Sequence, residues 1–180
     1  GTNFEVVDCQ VKEEEIVWRI QHKEQAQYIC PRCSAVNDTC HDNKWIKLRD
    51  VPFGKKNCVW LVKRARILCS CSMTVVVEKL PFRSIYHQMT QRFVDYIEQV
   101  LCSKMFTVAD VARFFDLDYG TIYKIDHVVL VRLIQELKIP DPINIAVDEK
   151  SFKKGHNYVT IVTDCDLKKV IWVSEGHKKE

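Results

Sequence analysis

The feature that most constrains the fold of this chain is two closely spaced groups of cysteines. A CPRC run occupies residues 30–33, and a CSC run occupies residues 69–71 after a long basic interval. Four thiolates that meet in space provide the soft, tetrahedral ligand set that zinc prefers. The first run has the C-P-x-C form typical of a zinc knuckle, whereas the second is shorter and precedes Ser72, where zinc ribbons often have glycine. The sequence therefore predicts a structural zinc site with the ligands Cys30, Cys33, Cys69 and Cys71.

Disulfide bonds are the competing interpretation of these pairs. The chain has nine cysteines, an odd number, and no apolar run typical of a signal peptide. Paired cysteines in a reducing compartment bind metal more often than they form disulfides, and we expect a cytoplasmic location. Cys40, His41 and Cys58 lie between the two runs, and each could replace Cys69 or Cys71 as a ligand.

The remaining cysteines, Cys9, Cys102 and Cys165, lie in apolar sequence contexts. Free cysteine in such a context usually behaves as a small buried hydrophobic residue. None of the three has the neighbouring histidine and basic residues of a nucleophile. We therefore predict no catalytic cysteine.

The distribution of charge indicates a polyanionic partner. The chain has 180 residues and a net charge of +3, which by itself indicates little. Residues 44–92, however, contain eleven basic residues and only two acids, Asp50 and Glu78, while three consecutive glutamates lie before them at positions 13–15. This asymmetry is typical of a surface that binds nucleic acid. No apolar run approaches the roughly 20 residues of a membrane span, so no membrane partner is expected.

Short apolar or alternating runs predict a β-rich N-terminal region. The predicted strands occupy residues 4–7, 16–20, 44–49, 59–68 and 75–77. Within the fourth of these, Arg64 and Arg66 lie on one face and Lys63 on the other, because side chains alternate along a strand. A solvated strand face is the plain interpretation. The local charge excess favours Lys63, Arg64 and Arg66 as contacts to phosphate.

The chain changes to a helical period after Pro81. Apolar residues recur at helical spacing from position 93 to 101, Thr107 predicts the start of a second helix, and Asp118 predicts the start of a third. Two helices joined by a tight turn form a helix-turn-helix, whose second helix places its first residues against base edges in the major groove. An ordinary helical hairpin is the alternative. The candidate base contacts are Tyr119, Thr121, Tyr123 and Lys124.

Beyond a proline-containing linker at residues 138–142, three further strands are predicted at residues 143–147, 158–163 and 169–174. The first of these ends at Asp148, which a rigid strand would hold in place. Glu149 would point to the opposite face, and residues 164–166 form a predicted turn. None of these other acids is therefore expected to complete a metal site with Asp148.

Three segments, taken in order, resemble the bacterial insertion-sequence transposases of the ISL-three family. The CPRC run followed by LRDVP at residues 48–52 is similar to the family's zinc finger and the link after it. TVADVARFFDLDYGTIYKI at residues 107–125 is similar to its helix-turn-helix. IAVDEKSFKKGHNYVTIVTDCDLKKVIWVSEG at residues 145–176 is similar to the start of its RNase-H-like DDE nuclease domain.

With this resemblance, the sequence predicts an α+β chain in three parts. A hairpin and small β-rich zinc ribbon occupy residues 2–80, a helix-turn-helix domain occupies 81–139, and the first three strands of an RNase-H-like domain occupy 143–180. The resemblance implies that Asp148 is the first of three metal-binding acids. DDE chemistry requires two divalent ions, Mg²⁺ or Mn²⁺, held by several carboxylates. One carboxylate is not a site, so we expect this chain alone to be catalytically inactive.

We interpret the chain as the DNA-binding N-terminal portion of a DDE transposase that recognises the terminal inverted repeats of an insertion sequence. A stand-alone zinc-ribbon and helix-turn-helix regulator derived from a transposase is the alternative, and a zinc-stabilised protein-interaction module is a third. Double-stranded DNA is the expected partner, with no small-molecule substrate. Three strands of a larger sheet would leave an exposed edge, which is compatible with a homodimer through residues 143–174.

Overall fold

The structure is a computed structural model. It describes residues 3–37, 40–69, 71, 73–86, 88–103, 105–136, 141–153 and 157–175. The fold is α+β with more strand than helix. The first seven strands are β1 (Phe4–Val11), β2 (Glu15–His22), β3 (Tyr28–Ile29), β4 (Val36–Asn37), β5 (Asp42–Phe53), β6 (Lys56–Cys69) and β7 (Thr74–Val77).

A mixed sheet of five strands forms the first half of the chain. The strand order is β1-β2-β6-β5, and β7 pairs with the far end of β6. The pairing of β2 with β6 is parallel, whereas the other pairings are antiparallel. Gly54 has a φ of +61° in the turn between β5 and β6, a conformation that glycine adopts without strain. The hairpin and the three later strands predicted for this region are therefore confirmed.

Apolar residues of the sheet and of the segment after it form a core. Ile20, Leu48 and Val62 of the sheet are buried together with Leu80, which follows β7, and aromatic rings including Trp60 pack around them. A second, smaller cluster lies where β6 and β7 approach the short β3–β4 pair. It comprises Cys30, Ile67, Cys69 and Val76.

Three helices follow: α1 (Gln91–Cys102), α2 (Val108–Phe115) and α3 (Tyr119–Glu136). Thr107 and Asp110 form a capping box at the start of α2, and the Asp118 carboxylate accepts a hydrogen bond from the Thr121 N–H at 2.9 Å at the start of α3. Both predicted helix starts are therefore confirmed. Phe93 and Phe115 meet edge to face in the helical core, with ring centroids 5.4 Å apart.

Two neighbouring residues of β5 hold the helices against the sheet. Asp50 is 1% exposed and accepts hydrogen bonds from Thr90 Oγ1 at 2.6 Å and Arg92 Nε at 2.7 Å. Because Thr90 is the N-cap of α1, Asp50 fixes the start of that helix. Arg49 donates a hydrogen bond of 2.8 Å to the carbonyl of Phe115, the last residue of α2, where the helix dipole favours a cation. The segment at residues 48–52 therefore joins the sheet to two helices.

The chain divides into one compact unit over residues 1–130 and a second over residues 131–180. In the second unit, β8 (Ile145–Lys153), β9 (Asn157–Asp164) and β10 (Lys169–Glu175) form an antiparallel sheet in the order β10-β9-β8. The three predicted strands are confirmed, but β8 continues well past Asp148, so the prediction that the strand ends there is wrong. Within the described residues, no helix is long and apolar enough to cross a membrane.

Candidate metal centre and nucleic-acid interface

Four cysteine thiols meet where β6 ends. Cys30 and Cys33 lie in the turn between β3 and β4, Cys69 is the last residue of β6, and Cys71 follows it. Their Sγ atoms all lie within 4.8 Å of one another. The Cys33 and Cys69 sulfurs are 3.4 Å apart, and those of Cys30 and Cys71 are 3.9 Å apart. The structure therefore brings together the four cysteines that the two runs predict as a set.

These distances suit a metal site and exclude disulfides. A disulfide requires sulfur atoms about 2.05 Å apart, and no described cysteine is disulfide-bonded. Four sulfurs at the corners of a tetrahedron with metal–sulfur bonds of about 2.3 Å lie about 3.8 Å from one another, which matches this cluster. Cys30 and Cys69 are buried while Cys33 and Cys71 are exposed, so a metal ion has access from solvent. The donor set fits a structural zinc ion.

Left-handed backbone conformations shape both knuckles. Ser34, directly after the first pair, has a φ of 60°, and Met73, shortly after the second pair, has a φ of 47°. The Cys30 carbonyl accepts a hydrogen bond from the Ser34 N–H at 2.9 Å, and the Cys30 N–H donates to the Ala35 carbonyl at 3.0 Å. These bonds close a tight turn in which the two thiols converge. Ser72, the position at which the sequence departs from a common glycine, lies outside the described residues.

Hydrogen bonds shift the pKa values of two of the thiols in opposite directions. The backbone N–H groups of Cys33 and Arg32 lower the pKa of the Cys30 thiol to about 6, although burial opposes them. The Cys71 N–H acts in the same direction on Cys69, but hydrogen bonds with the other three thiols and burial outweigh it and raise the pKa of Cys69 to about 12. These hydrogen bonds therefore favour the thiolate form of Cys30 and the protonated form of Cys69. A zinc ion would displace that proton, because cysteine binds zinc as thiolate.

The three alternative ligands lie outside this cluster. The Cys40 thiol accepts a hydrogen bond from Asn43 Nδ2 at 3.3 Å. His41 is exposed, and its Nδ1 is 3.5 Å from Asp42 Oδ2. Cys58 is buried in β6, where burial raises the pKa of its thiol. None of the three belongs to a group of metal-binding side chains among the described residues.

The prediction that Cys9, Cys102 and Cys165 are buried is wrong, since all three are exposed. Cys9 lies in β1 and Cys102 ends α1, and both elements have one face turned to solvent. Cys165 directly follows β9, in a turn. An apolar sequence context did not indicate which face of an element each cysteine occupies.

The candidate base contacts lie on the first turns of α3. Tyr119 and Tyr123 are half exposed, and their rings stack with centroids 6.2 Å apart. Lys124 is exposed. Thr121 is partly buried, with its hydroxyl 3.4 Å from an Asp118 carboxylate oxygen. The opposite face of the helix packs into the helical core, so three of the four predicted side chains face outward on one helix.

The candidate phosphate contacts on β6 differ in their surroundings. Arg66 is exposed and donates two hydrogen bonds to the Asp42 carboxylate directly across from it on β5. Arg64 is partly buried and donates through Nε and Nη2 to the backbone carbonyl of Glu78, at 2.9 Å from Nε. Lys63, on the other face, is also partly buried. The Asp42 partner was missed because it lies just before the basic segment and only the strand register brings it opposite Arg66.

Asp148 is exposed in the middle of β8, opposite Ile161 of β9. It belongs to no group of three metal-binding side chains among the residues that the structure describes. Asp164 is 3% exposed, and its Oδ1 accepts hydrogen bonds of 2.9 Å from the N–H groups of both Asp166 and Leu167. The predicted turn after β9 is confirmed. The Asp164 carboxylate accepts hydrogen bonds from the backbone of this turn.

Comparison with known proteins identifies two matched regions in the chain. Residues 26–71, which include all four clustered cysteines, match a family model described as the zinc-finger of transposase IS204/IS1001/IS1096/IS1165. Residues 145–180 match a family model described as Transposase.

One curated relative matches most of the chain. It is the transposase for insertion sequence element IS1001 from Bordetella parapertussis, to which this chain is 31% identical over 155 residues. The alignment covers 84% of this chain but only 37% of the relative, so the chain spans little more than a third of that protein. No solved structure matches the chain.

Proposed function

Because the chain belongs to the ISL3 family of insertion-sequence transposases, we propose that it is the N-terminal, DNA-binding portion of such an enzyme and recognises the terminal inverted repeats of its element. The observation that carries the proposal is the four-cysteine cluster inside the region that matches the transposase zinc finger. The capped helix pair that follows supplies an element of the size and arrangement that reads a major groove.

The metal that the family implies is zinc. Cys30, Cys33, Cys69 and Cys71 would hold it, tying the turn between β3 and β4 to the ends of β6 and β7. Zinc supplies four bonds to sulfur and no redox chemistry, so its role here is structural. The left-handed turns after the two cysteine pairs, together with the backbone hydrogen bonds of the first knuckle, hold the four thiols close together for the metal.

Two groups of residues would share DNA recognition. Tyr119, Thr121, Tyr123 and Lys124 would contact base edges from the first turns of α3. Lys63, Arg64 and Arg66 would contact phosphates, which adds affinity independent of sequence and weakened by salt. Arg66 would give up its hydrogen bonds to the Asp42 carboxylate and donate instead to the oxygens of a phosphate, which is also an anion.

The test of sequence recognition is binding to a duplex that carries the element's terminal repeat and to a scrambled duplex of the same composition. We expect the variants Tyr123→Ala and Lys124→Ala to reduce the preference for the repeat by about 1–3 kcal/mol for each lost base contact. Gln135→Ala, an exposed change near the end of the same helix, is the control and should leave the preference unchanged. Equal binding of wild type to both duplexes would contradict recognition of the repeats.

For catalysis, Asp148 would be the first of three carboxylates that hold Mg²⁺ or Mn²⁺ in a full-length nuclease domain. We expect the chain of residues 1–180 to leave end-bearing DNA uncleaved with either ion, because two-metal chemistry needs more than one carboxylate. Denaturing gels of end-labelled DNA would reveal cleavage. A cleavage product that disappears in the variant Asp148→Ala would show that the chain is active by itself.

A further inference from the structure

A concave basic surface lies beside the cysteine cluster. It has a volume of about 410 Å³, and its lining combines three cations with Ser84 and with the apolar side chains of Pro31, Val77, Leu80 and Ile85. We call Pro31 of the first knuckle, Arg64 of β6, and Lys79 and Arg83 from the segment after β7 the basic groove. The sequence pattern predicts only Arg64 of these three cations as a phosphate contact, because the segment after β7 has no periodicity that would place Lys79 and Arg83 on a particular face.

The three cations of the basic groove have no acidic partner among the described residues, whereas most of the other arginines in the same unit form an ion pair. Among the described residues, Arg64, Lys79 and Arg83 form no ion pair, whereas Arg66 is paired with Asp42. The Nε of Arg83 is buried and has no hydrogen-bond partner within the described part of the chain. Buried donors are nearly always satisfied, so the Arg83 guanidinium is incompletely partnered by the described residues.

Glu78 directly precedes Lys79 in the chain, but its carboxylate is hydrogen-bonded to groups outside this surface. Its Oε2 lies 2.9 Å from His22 Nε2, and its Oε1 accepts a hydrogen bond of 2.5 Å from the Ala65 N–H. Only the backbone carbonyl of Glu78 meets the Arg64 guanidinium. Burial, and after it the positive charge of Arg83, lower the pKa of Arg64, and the negative charge of Glu78 opposes them. The charges of Arg64 and Arg83 therefore act on one another, and no ion pair among the described residues joins either of them to a carboxylate.

We propose that the basic groove binds a phosphate of the DNA backbone. Arg83 would donate from its guanidinium group, Arg64 from Nη1, which makes none of that side chain's hydrogen bonds to Glu78, and Lys79 from the exposed rim. Guanidinium groups suit this ligand because their fixed donors match the oxygens of a phosphate. The inference rests on the proposed DNA-binding function and adds two phosphate contacts, Lys79 and Arg83, next to the zinc knuckle.

The experiment measures binding of a fluorescent mixed-sequence duplex by anisotropy over a series of salt concentrations. Each phosphate contact contributes about 0.9 to the slope of log affinity against log salt. We expect Lys79→Gln to reduce the slope by about 0.9 and Lys79→Gln with Arg83→Gln to reduce it by about 1.8, equally for repeat and scrambled duplexes. Arg19→Gln removes the same charge from β2, where Arg19 faces Asp8, and should leave the slope at its wild-type value.

The outcomes separate this inference from the proposed function. If wild type binds DNA and the double variant keeps the wild-type slope, the groove is not a phosphate site, although the chain still binds DNA. If wild type binds neither duplex, both proposals fail. Should Arg83→Gln fail to fold, judged by its zinc content and thermal transition, the single variant Lys79→Gln decides, because Lys79 is exposed and its replacement leaves the core intact.

Discussion

Replacing Cys30 with serine is expected to abolish stoichiometric zinc binding. Cys30 is completely buried within the cluster, and a serine hydroxyl is a much poorer ligand for zinc than a thiolate. Loss of a residue that merely orients a zinc ligand lowers affinity about 10–100-fold, so loss of the ligand itself should cost more. Metal analysis of protein dialysed against a weak chelator measures the effect as zinc per chain.

The same variant should also loosen the region around the knuckles. The apolar cluster there contains few residues, namely Cys30, Ile67, Cys69 and Val76, with Tyr28 and Cys40 at its side. So small a core needs a metal or another cross-link to remain folded. We therefore expect faster amide exchange or proteolysis in residues 26–37 of Cys30→Ser, and the same change in wild type after zinc is removed by a strong chelator.

Cys102→Ser is the matched control, because Cys102 is an exposed cysteine on α1, away from the cluster. It should keep one zinc per chain and the wild-type exchange pattern. A wild-type protein that contains no zinc after purification in zinc-containing medium would contradict the metal site. One zinc per chain in Cys30→Ser would show that Cys30 is not needed to hold the metal.

The elements that the sequence predicted well are those specified by local chemistry. Within the CPRC run and within the CSC run, the two cysteines are close because they are near in sequence. The sequence did not show that the two runs lie next to one another, and the structure does. Thr107 and Asp118 begin helices because their side chains satisfy backbone N–H groups within three residues. Such features can be predicted from neighbouring residues alone, without information about distant parts of the chain.

The features that the sequence did not predict depend on register and tertiary packing. The pairing of Asp42 with Arg66 requires the exact alignment of β5 and β6. The continuation of β8 past Asp148 depends on its partner β9, which offers Ile161 and Thr160 opposite Asp148 and Glu149. The basic groove is formed by residues from three separate segments, so no local pattern could mark it.

The link between sheet and helices leads to the second large expected effect, which is on stability. Asp50 and Arg92 form an ion pair in which the Asp50 side chain is 1% exposed and that of Arg92 is 62% exposed. The Arg92 guanidinium also lies over the Trp60 ring, 4.8 Å from its centroid. Removing the two partners should therefore have unequal consequences, because only one of them is held away from water.

Arg92→Ala should lower the free energy of unfolding by about 3–5 kcal/mol, because it leaves the Asp50 carboxylate buried without its cation. Asp50→Ala should cost less, since the exposed Arg92 can turn to solvent, and the main loss is the hydrogen bond from the Thr90 hydroxyl. The double variant should be more stable than Arg92→Ala. Urea denaturation followed by tryptophan fluorescence measures all three free energies.

Arg66→Ala is the matched control, because Arg66 forms the same kind of two-bond pair with Asp42, but that carboxylate is 37% exposed whereas that of Asp50 is 1% exposed. It should change stability little, as exposed ion pairs generally do. If Arg92→Ala is no more destabilising than Arg66→Ala, the buried carboxylate does not depend on its cation. The attachment of α1 would then rest on the Thr90 hydroxyl and on the packing of Phe93 and Val94 against the helical core.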